Sequence, residues 1–385
     1  FTYITSRTAS DDLYFFPDSV STLSTAFTIG RRDAGIQFPE TIGSQHIVKW
    51  QPYNEILYAY RGKKPFEMFE KQSKFTGDLT LTPLGLVGTG LMDMEKARLT
   101  SNHFDYNAAD YRSAKASAEF NIVGKDSLAL SSDNLKAFID FNARKGDFGK
   151  IDQSIYAIMQ PMMYESHLDE FEWSMERNEL TFSTPDRQQF VEMDKFYVSG
   201  MIDRDTLPSG SLFYSTWKGE DSLYFFSSKA KYNLRNPGLK ADSVKYLVVA
   251  DAIIHPYNQK VEVDAKKRVM PLQKSEIVAN YIQKYHRIYD ADITIKSRKK
   301  YYAKGTIDYV DENDSIQKVK LKEVGVDPQG NTYAQTTLTA PDRFKLSPRF
   351  GFIGNVDIFA QDKIWLFDGG AEPISTCPQI KTSNV

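Results

Sequence analysis

A chain of 385 residues with 41% apolar and 25% charged side chains can bury a large core, and by size it holds roughly two or three domains. A formal net charge of −2 gives no reason of its own to expect nucleic acid or an anionic membrane as partner. The single cysteine, Cys377, excludes an internal disulfide framework, and no run of about 18 apolar residues predicts a membrane-spanning helix.

Aromatic residues reach 13%, with 25 Phe and 22 Tyr. Pleated surfaces favour such side chains, so the composition points toward sheet. Charge is uneven along the chain: residues 260–322 carry 15 Lys and Arg against 9 Asp and Glu, whereas 169–205 carry 4 against 10. Solvated strand faces account for both runs more simply than binding patches. The chain opens on Phe with no basic-then-apolar leader, and it reads as a piece of a longer precursor.

In chain order, DDLYFF at 11–16 returns as DSLYFF at 221–226, and SNHFDYNAADYRSAKASAEFNI at 101–122 is a looser relative. Each reads as an aromatic strand, a polar turn and a return strand carrying Ala and an aromatic, so a repeated supersecondary unit is expected. QPYNEILYAYRGKKPFEMFE at 51–70 has the ring density of a groove lining or of a cross-strand ladder. Residues 75–93 alternate Leu79 and Leu81, then turn at Pro83 and Gly85 and again at Gly88 and Gly90. GLVGTG there precedes no helix-opening pattern and no Lys-Ser/Thr, so a hairpin is expected in place of a phosphate loop. Helical spacing appears at 132–144, through Leu135, Phe138 and Ile139, and at 186–197, through Phe190, Met193 and Tyr197.

The last third alternates apolar and polar residues repeatedly: Val244, Tyr246 and Val248; Val261 and Val263; Ile293 and Ile295; Ile307 and Tyr309; Val319 and Leu321; Val356 and Ile358. Turn formers separate these runs. KSEIVANYIQKYH at 274–286 fits either period, and its surroundings favour a strand. Small residues recur beside the strands, among them Ala97, Ala116, Ala118, Ala230, Ala241, Ala291 and Ala303, as closely stacked layers require. The pattern predicts an all-β fold of stacked short strands, a β-solenoid or an elongated sandwich with an open groove, and one or two short helices. Composition places boundaries near 150 and 218, giving N-terminal β-repeats over 1–150, an acidic connection over 151–218 and C-terminal β-repeats over 219–385.

Catalytic chemistry has little to rest on. The carboxylate pairs Asp169–Glu170 and Asp203–Asp205 are the candidates for acid and base in a sugar-active enzyme. The five histidines, His46, His103, His167, His255 and His286, lack metal-ligand spacing, and no GxSxG elbow occurs. No catalytic residue, metal or cofactor is assigned. Aromatic recognition is the remaining option, and Trp173, Trp217, Tyr285, Tyr301 and Trp365 are the candidate ligand contacts.

KYNLRNPGLKADSVKYLVVADAII at 231–254, with NVDIFAQDKIWLFDGG at 355–370, resembles the strand-and-return layers of OstA-like envelope proteins. FFPDS, GDLTLTPLGLVGTG, VADAIIHP and LSPRFGFIGNVDIFA are similar to phrases of very large, functionally unassigned envelope proteins of Bacteroidota-type bacteria. The resemblance implies an open, groove-bearing β-structure in the periplasm or at the outer surface, partnered by other envelope proteins, by the rest of its precursor, or by a glycan or anionic lipid. In OstA-like proteins the groove conducts lipopolysaccharide. The expectation is a non-catalytic scaffold or binding module of a larger envelope protein; the alternatives are a lipid-conducting groove and a carbohydrate-active enzyme on a β-helix.

Overall fold

The computed structural model describes residues 4–6, 13–16, 19–24, 26–125, 127–184 and 208–374, the first three stretches as backbone alone. The fold is almost entirely β, with 62% strand and 4% helical residues. Its helical pieces, such as Gln160–Met162, Lys218–Glu220 and Ala340–Asp342, are single 3₁₀ turns. Its strands pair antiparallel, as short polar turns between alternating runs dictate. The chain divides into two compact units, one formed by Phe1–Pro161, Glu165–Thr184 and Lys231–Gly238, the other by Met162–Tyr164, Pro185–Ala230 and Leu239–Val385.

The first unit begins as two ladders of short strands. One runs Ile4–Ser6, Phe27–Ile29, Thr41–Gly43, Phe66–Met68; the other runs Leu13–Phe16, Ser19–Ser24, His46–Gln51, Ile56–Ala59. Both end on the same long strand, β1 (Ser73–Thr82): its Ser73–Phe75 half pairs with the first ladder and its Leu79–Leu81 half with the second. The ladders share an interior, because His46 of one stacks on Phe66 of the other, ring centroids 3.8 Å apart. β1 therefore serves both ladders, with Gly77 between the two halves.

Four further strands follow, β2 (Gly85–Met94), β3 (Ala97–Tyr106), β4 (Asp110–Asn121) and β5 (Leu128–Asp140), each pairing with the one before. β5 then splits its pairing again, between Lys145–Lys150 and Ile155–Met159. Alternation directs Phe75, Leu79, Leu99, Phe104, Tyr111 and Phe120 inward, all 1% exposed or less. The aromatic excess is thus core: Phe75 meets Phe104 edge-to-face at 6.2 Å, and Phe104 meets Tyr111 likewise at 5.6 Å.

Small residues face one another across these strands. Gly77 lies opposite Gly90, Gly90 opposite Ser101, and Ser101 opposite Ala116. Where the ladder breaks register, side-chain oxygen replaces a missing backbone partner: the Ser101 hydroxyl donates to the Lys115 carbonyl at 2.8 Å and meets the Ser113 hydroxyl at 2.8 Å.

In the second unit, too, short strands lead into longer ones. Ser211–Ser215 pairs with Tyr224–Ser227, and Leu247–Val249 with Ala252–His255, which joins β6 (Leu272–Ala279). Then β7 (His286–Ser297), β8 (Lys300–Val310), β9 (Ile316–Val326), β10 (Thr332–Leu338), β11 (Phe350–Phe359) and β12 (Leu366–Pro373) follow in antiparallel order. Ser275 faces Ala291, and Gly354 faces Gly369. Lys274 (φ 50°) and Asp290 (φ 48°), left-handed without being glycine, mark the register shifts.

Three expectations from sequence change here. Residues 132–144 hold no helix: β5 covers 132–140 and a turn the rest, and Leu135 and Ile139 point inward while Phe138, 39% exposed, lies on the other face, so an outward ring completes the helical spacing. Gly88 and Gly90 lie inside β2 instead of turning the chain. Tyr224–Ser227, from the second DSLYFF copy, pairs with the preceding strand Ser211–Ser215, while Leu13–Phe16 of the first copy pairs with the following one, Ser19–Ser24. The helical spacing at 186–197 lies outside the described residues.

Candidate functional site

The five aromatic residues singled out from sequence scatter. Trp173 is 3% exposed and stands edge-to-face with Phe120 at 5.5 Å, as core. Tyr301 is fully buried, and its hydroxyl meets the Thr332 hydroxyl at 2.8 Å; Thr332 in turn donates its N–H (2.9 Å) and hydroxyl (2.5 Å) to Asp251. Neither ring can reach a ligand. Tyr285 is exposed beside His286, while Trp217 and Trp365 are half-buried.

Trp365 alone belongs to a ring cluster that reaches the surface. Tyr309, near the end of β8, stands 5.1 Å from Trp365, 4.9 Å from Phe344 and 5.8 Å from Phe367. Phe352 meets Phe367 edge-to-face at 5.2 Å. Local hydrogen bonds fix these rings: the Tyr309 hydroxyl donates to the Leu346 carbonyl at 2.9 Å, and the Gln317 amide clasps Lys345, donating to its carbonyl (2.7 Å) and accepting from its N–H (2.9 Å). Burial, and after it the carboxylates of Asp311 and Glu312, hold the Tyr309 phenol above its ordinary pKa, so it stays a donor.

Around the rings stand apolar side chains in water: Ile364 is 77% exposed and Leu366 55%. β12, which carries Leu366 and Phe367, pairs with β11 alone among the described residues. Its sequence, LFDGGAEP, contains no lysine, and its only proline comes last. Lysine and proline are the strongest means of blunting a strand edge, Asp368 and Glu372 are the charged groups along this one, and no strand among the described residues covers it. A half-exposed aromatic cluster next to such an edge suits an apolar or extended partner.

Trp217 marks a second cluster. Its ring lies over Gly219, where an added Cβ would stand 2.5 Å from it. Next in the turn is Glu220, 3% exposed, whose carboxylate accepts the Tyr164 hydroxyl at 2.8 Å. Burial pushes this carboxyl above its ordinary range against the opposing hydrogen bonds from Ser215, Tyr164 and the Val269 backbone. The Arg298 N–H donates to the Glu220 carbonyl at 2.9 Å and the Arg298 carbonyl accepts Ala250 N–H at 2.8 Å, so the Arg298 backbone links the turns at Glu220 and Ala250. Sequence reasoning passed over Glu220, because one acid in the polar run KGED carries no signal of burial.

Of the carboxylate pairs, Asp169 is 8% exposed and bound to Lys150 Nζ at 2.6 Å, whereas Glu170 is exposed. Asp203 and Asp205 lie outside the described residues. Among the described residues no three His, Cys, Asp or Glu gather as metal ligands, and no helix is long and apolar enough to cross a membrane. No known protein family, curated protein or solved structure matches this chain.

Proposed function

We propose that the chain is a strand-built scaffold and binding module, working by docking rather than turnover, and that β12 with its ring cluster is its contact surface. The observation that carries this reading is the coincidence of half-exposed Trp365, Tyr309 and Phe367 with a lysine-free strand edge that no described strand covers. An added strand would gain backbone hydrogen bonds from the edge and apolar burial from the rings, about 25 cal/mol for each Å² removed from water. Placement in a larger bacterial envelope protein belongs to the same proposal and rests on the sequence resemblance alone.

A Leu366→Lys variant tests it, since a lysine on the edge obstructs strand addition while leaving an exposed position exposed. Quantitative pulldown from native membranes is expected to retain a defined set of proteins with the parent chain and to lose that set with the variant. Identical sets, or turnover of a polysaccharide panel abolished by Asp169→Asn, would contradict the reading.

A further inference from the structure

The basic run at 260–322 acquires a location in the fold. Alternation along β9 turns Val319 and Leu321 inward and sends Lys318, Lys320 and Lys322 to the opposite face, all exposed. Successive lysines on one face stand about 7 Å apart along a strand. Lys304 of neighbouring β8 joins them, since Gly305 lies opposite Leu321 and Thr306 opposite Lys320.

Elsewhere in this unit cations are neutralised: Lys240 by Glu262, Lys260 by Asp242, Arg287 by Glu276 and Lys299 by Asp221. The four strip lysines make no close ion pair among the described residues, although, after the Thr339 hydrogen bonds, Lys322 and Lys320 help to hold the Asp342 carboxyl below its ordinary range and Lys322 Nζ donates to the Thr337 carbonyl at 3.4 Å. Lys318 instead stands over the Tyr289 ring at 5.8 Å, and Asp308 opposite it accepts the Tyr289 hydroxyl at 2.5 Å. The strip is narrow. Asp292, opposite Lys304, and Asp308 border it on one side; Glu323 beside Lys322 and Asp342 near Lys320 and Lys322 limit it at one end; on the other side, beyond Gln335 and Thr337, come Asp357 and Asp368.

We propose that Lys318, Lys320, Lys322 and Lys304 form a docking strip for a linear acidic polysaccharide lying along β9. Regular spacing along one strand matches a polymer with recurring charges, and the bordering carboxylates would repel a broad anionic surface such as a membrane while leaving room for a single chain. The Tyr289 ring adds an apolar face beside the lysines.

The probe is a fluorescent heparin hexasaccharide titrated into the full chain and followed by anisotropy. Binding is expected to weaken with salt along a log–log slope of about −3, and Lys318→Gln/Lys320→Gln/Lys322→Gln is expected to lose about tenfold or more in affinity and most of that slope. Lys240→Gln/Lys260→Gln, which removes the same kind of charge elsewhere, should bind like the parent. If the triple variant loses its fold by circular dichroism, Lys320→Gln alone carries the test with about a threefold loss. Equal binding by parent and strip variants, or none by the parent at low salt, would overturn the proposal. Strip-dependent binding to phosphatidylglycerol vesicles without binding of the hexasaccharide would overturn it in favour of a membrane.

Discussion

Gly77 and Gly90 lie directly opposite each other in β1 and β2, with space for a side chain at neither. A Cβ on Gly77 would stand 2.1 Å from the Thr89 carbonyl oxygen, and one on Gly90, at φ +155°, would stand 2.3 Å from that of Thr76. The tip of the Phe75 ring covers Gly77. Gly354 (φ +154°) and Gly369 repeat the arrangement in β11 and β12, under Phe352. In both units an F-x-G stretch, FTG or FIG, places a ring over a glycine pair where a long strand lies close to its neighbour.

Gly90→Ala is accordingly expected to destabilise the first unit by about 2 kcal/mol or more, through backbone strain and the Thr76 contact together. Gly149→Ala meets nothing within 4 Å and should stay within about 0.5 kcal/mol of the parent. Urea midpoints of the two variants make the comparison; equal midpoints would remove the glycine pair from the account.

Three buried serines divide by partner. Ser132 and Ser166 hydroxyls have no hydrogen-bond partner among the described residues, whereas Ser101 bonds Lys115 and Ser113. Removing an unsatisfied hydroxyl spares a desolvation cost, so Ser132→Ala and Ser166→Ala should be neutral or about 1 kcal/mol stabilising. Ser101→Ala should cost about 1–2 kcal/mol, since it leaves the Lys115 carbonyl and Ser113 hydroxyl short of a partner. Thermal unfolding of the three variants reads the difference in sign.

Protonation should bear on the second unit through Glu220 and Asp251, both held above the ordinary carboxylate range chiefly by burial. A carboxyl with a raised folded pKa binds its proton more tightly folded than unfolded. Its stabilising contribution is full below the unfolded pKa and is lost as pH rises through the folded one. His286, held low by burial, acts oppositely and favours the folded state as pH rises. Glu220→Gln should therefore remove a downward contribution from the stability–pH curve between mildly acidic and neutral pH, and urea midpoints across that window measure it. An unchanged curve would show that Glu220 titrates normally.

Tyr309→Phe keeps the ring and deletes the bond to Leu346, at an expected cost of about 1 kcal/mol. Phe367→Ala also uncovers Phe352 and Tyr309 and should cost about 2 kcal/mol, less than a fully buried ring because Phe367 is half-exposed. Urea denaturation orders the pair, and a larger loss for Tyr309→Phe would deny that the rings form one cluster.

Much of this architecture is legible in the sequence because a half-buried strand writes its period directly. Val261 with Val263, Ile293 with Ile295, Val319 with Leu321 and Val356 with Ile358 are all buried on strands. Period misleads where an apolar side chain faces water: outward Phe138 beside inward Leu135 and Ile139 of β5 reads as helical spacing. Burial of single aromatics is equally illegible. Trp173 is flanked by Glu172 and Ser174 and Trp365 by Ile364 and Leu366, yet the first is core and the second half-exposed, because exposure depends on which strand covers which. Glu220 and the lysine strip share this limit, one visible only as a polar turn and the other only as a count of charges until β9 assigns its lysines a face.

Hydrogen–deuterium exchange of the full chain, alone and after mixing with a detergent extract of native membranes, tests the docking claim most directly. Amides of Leu366–Pro373, with those around Tyr309 and Lys345–Ser347, are expected to slow in the extract and to remain fast in Leu366→Lys. Unchanged exchange along that edge, or protection gained only elsewhere, would contradict the account.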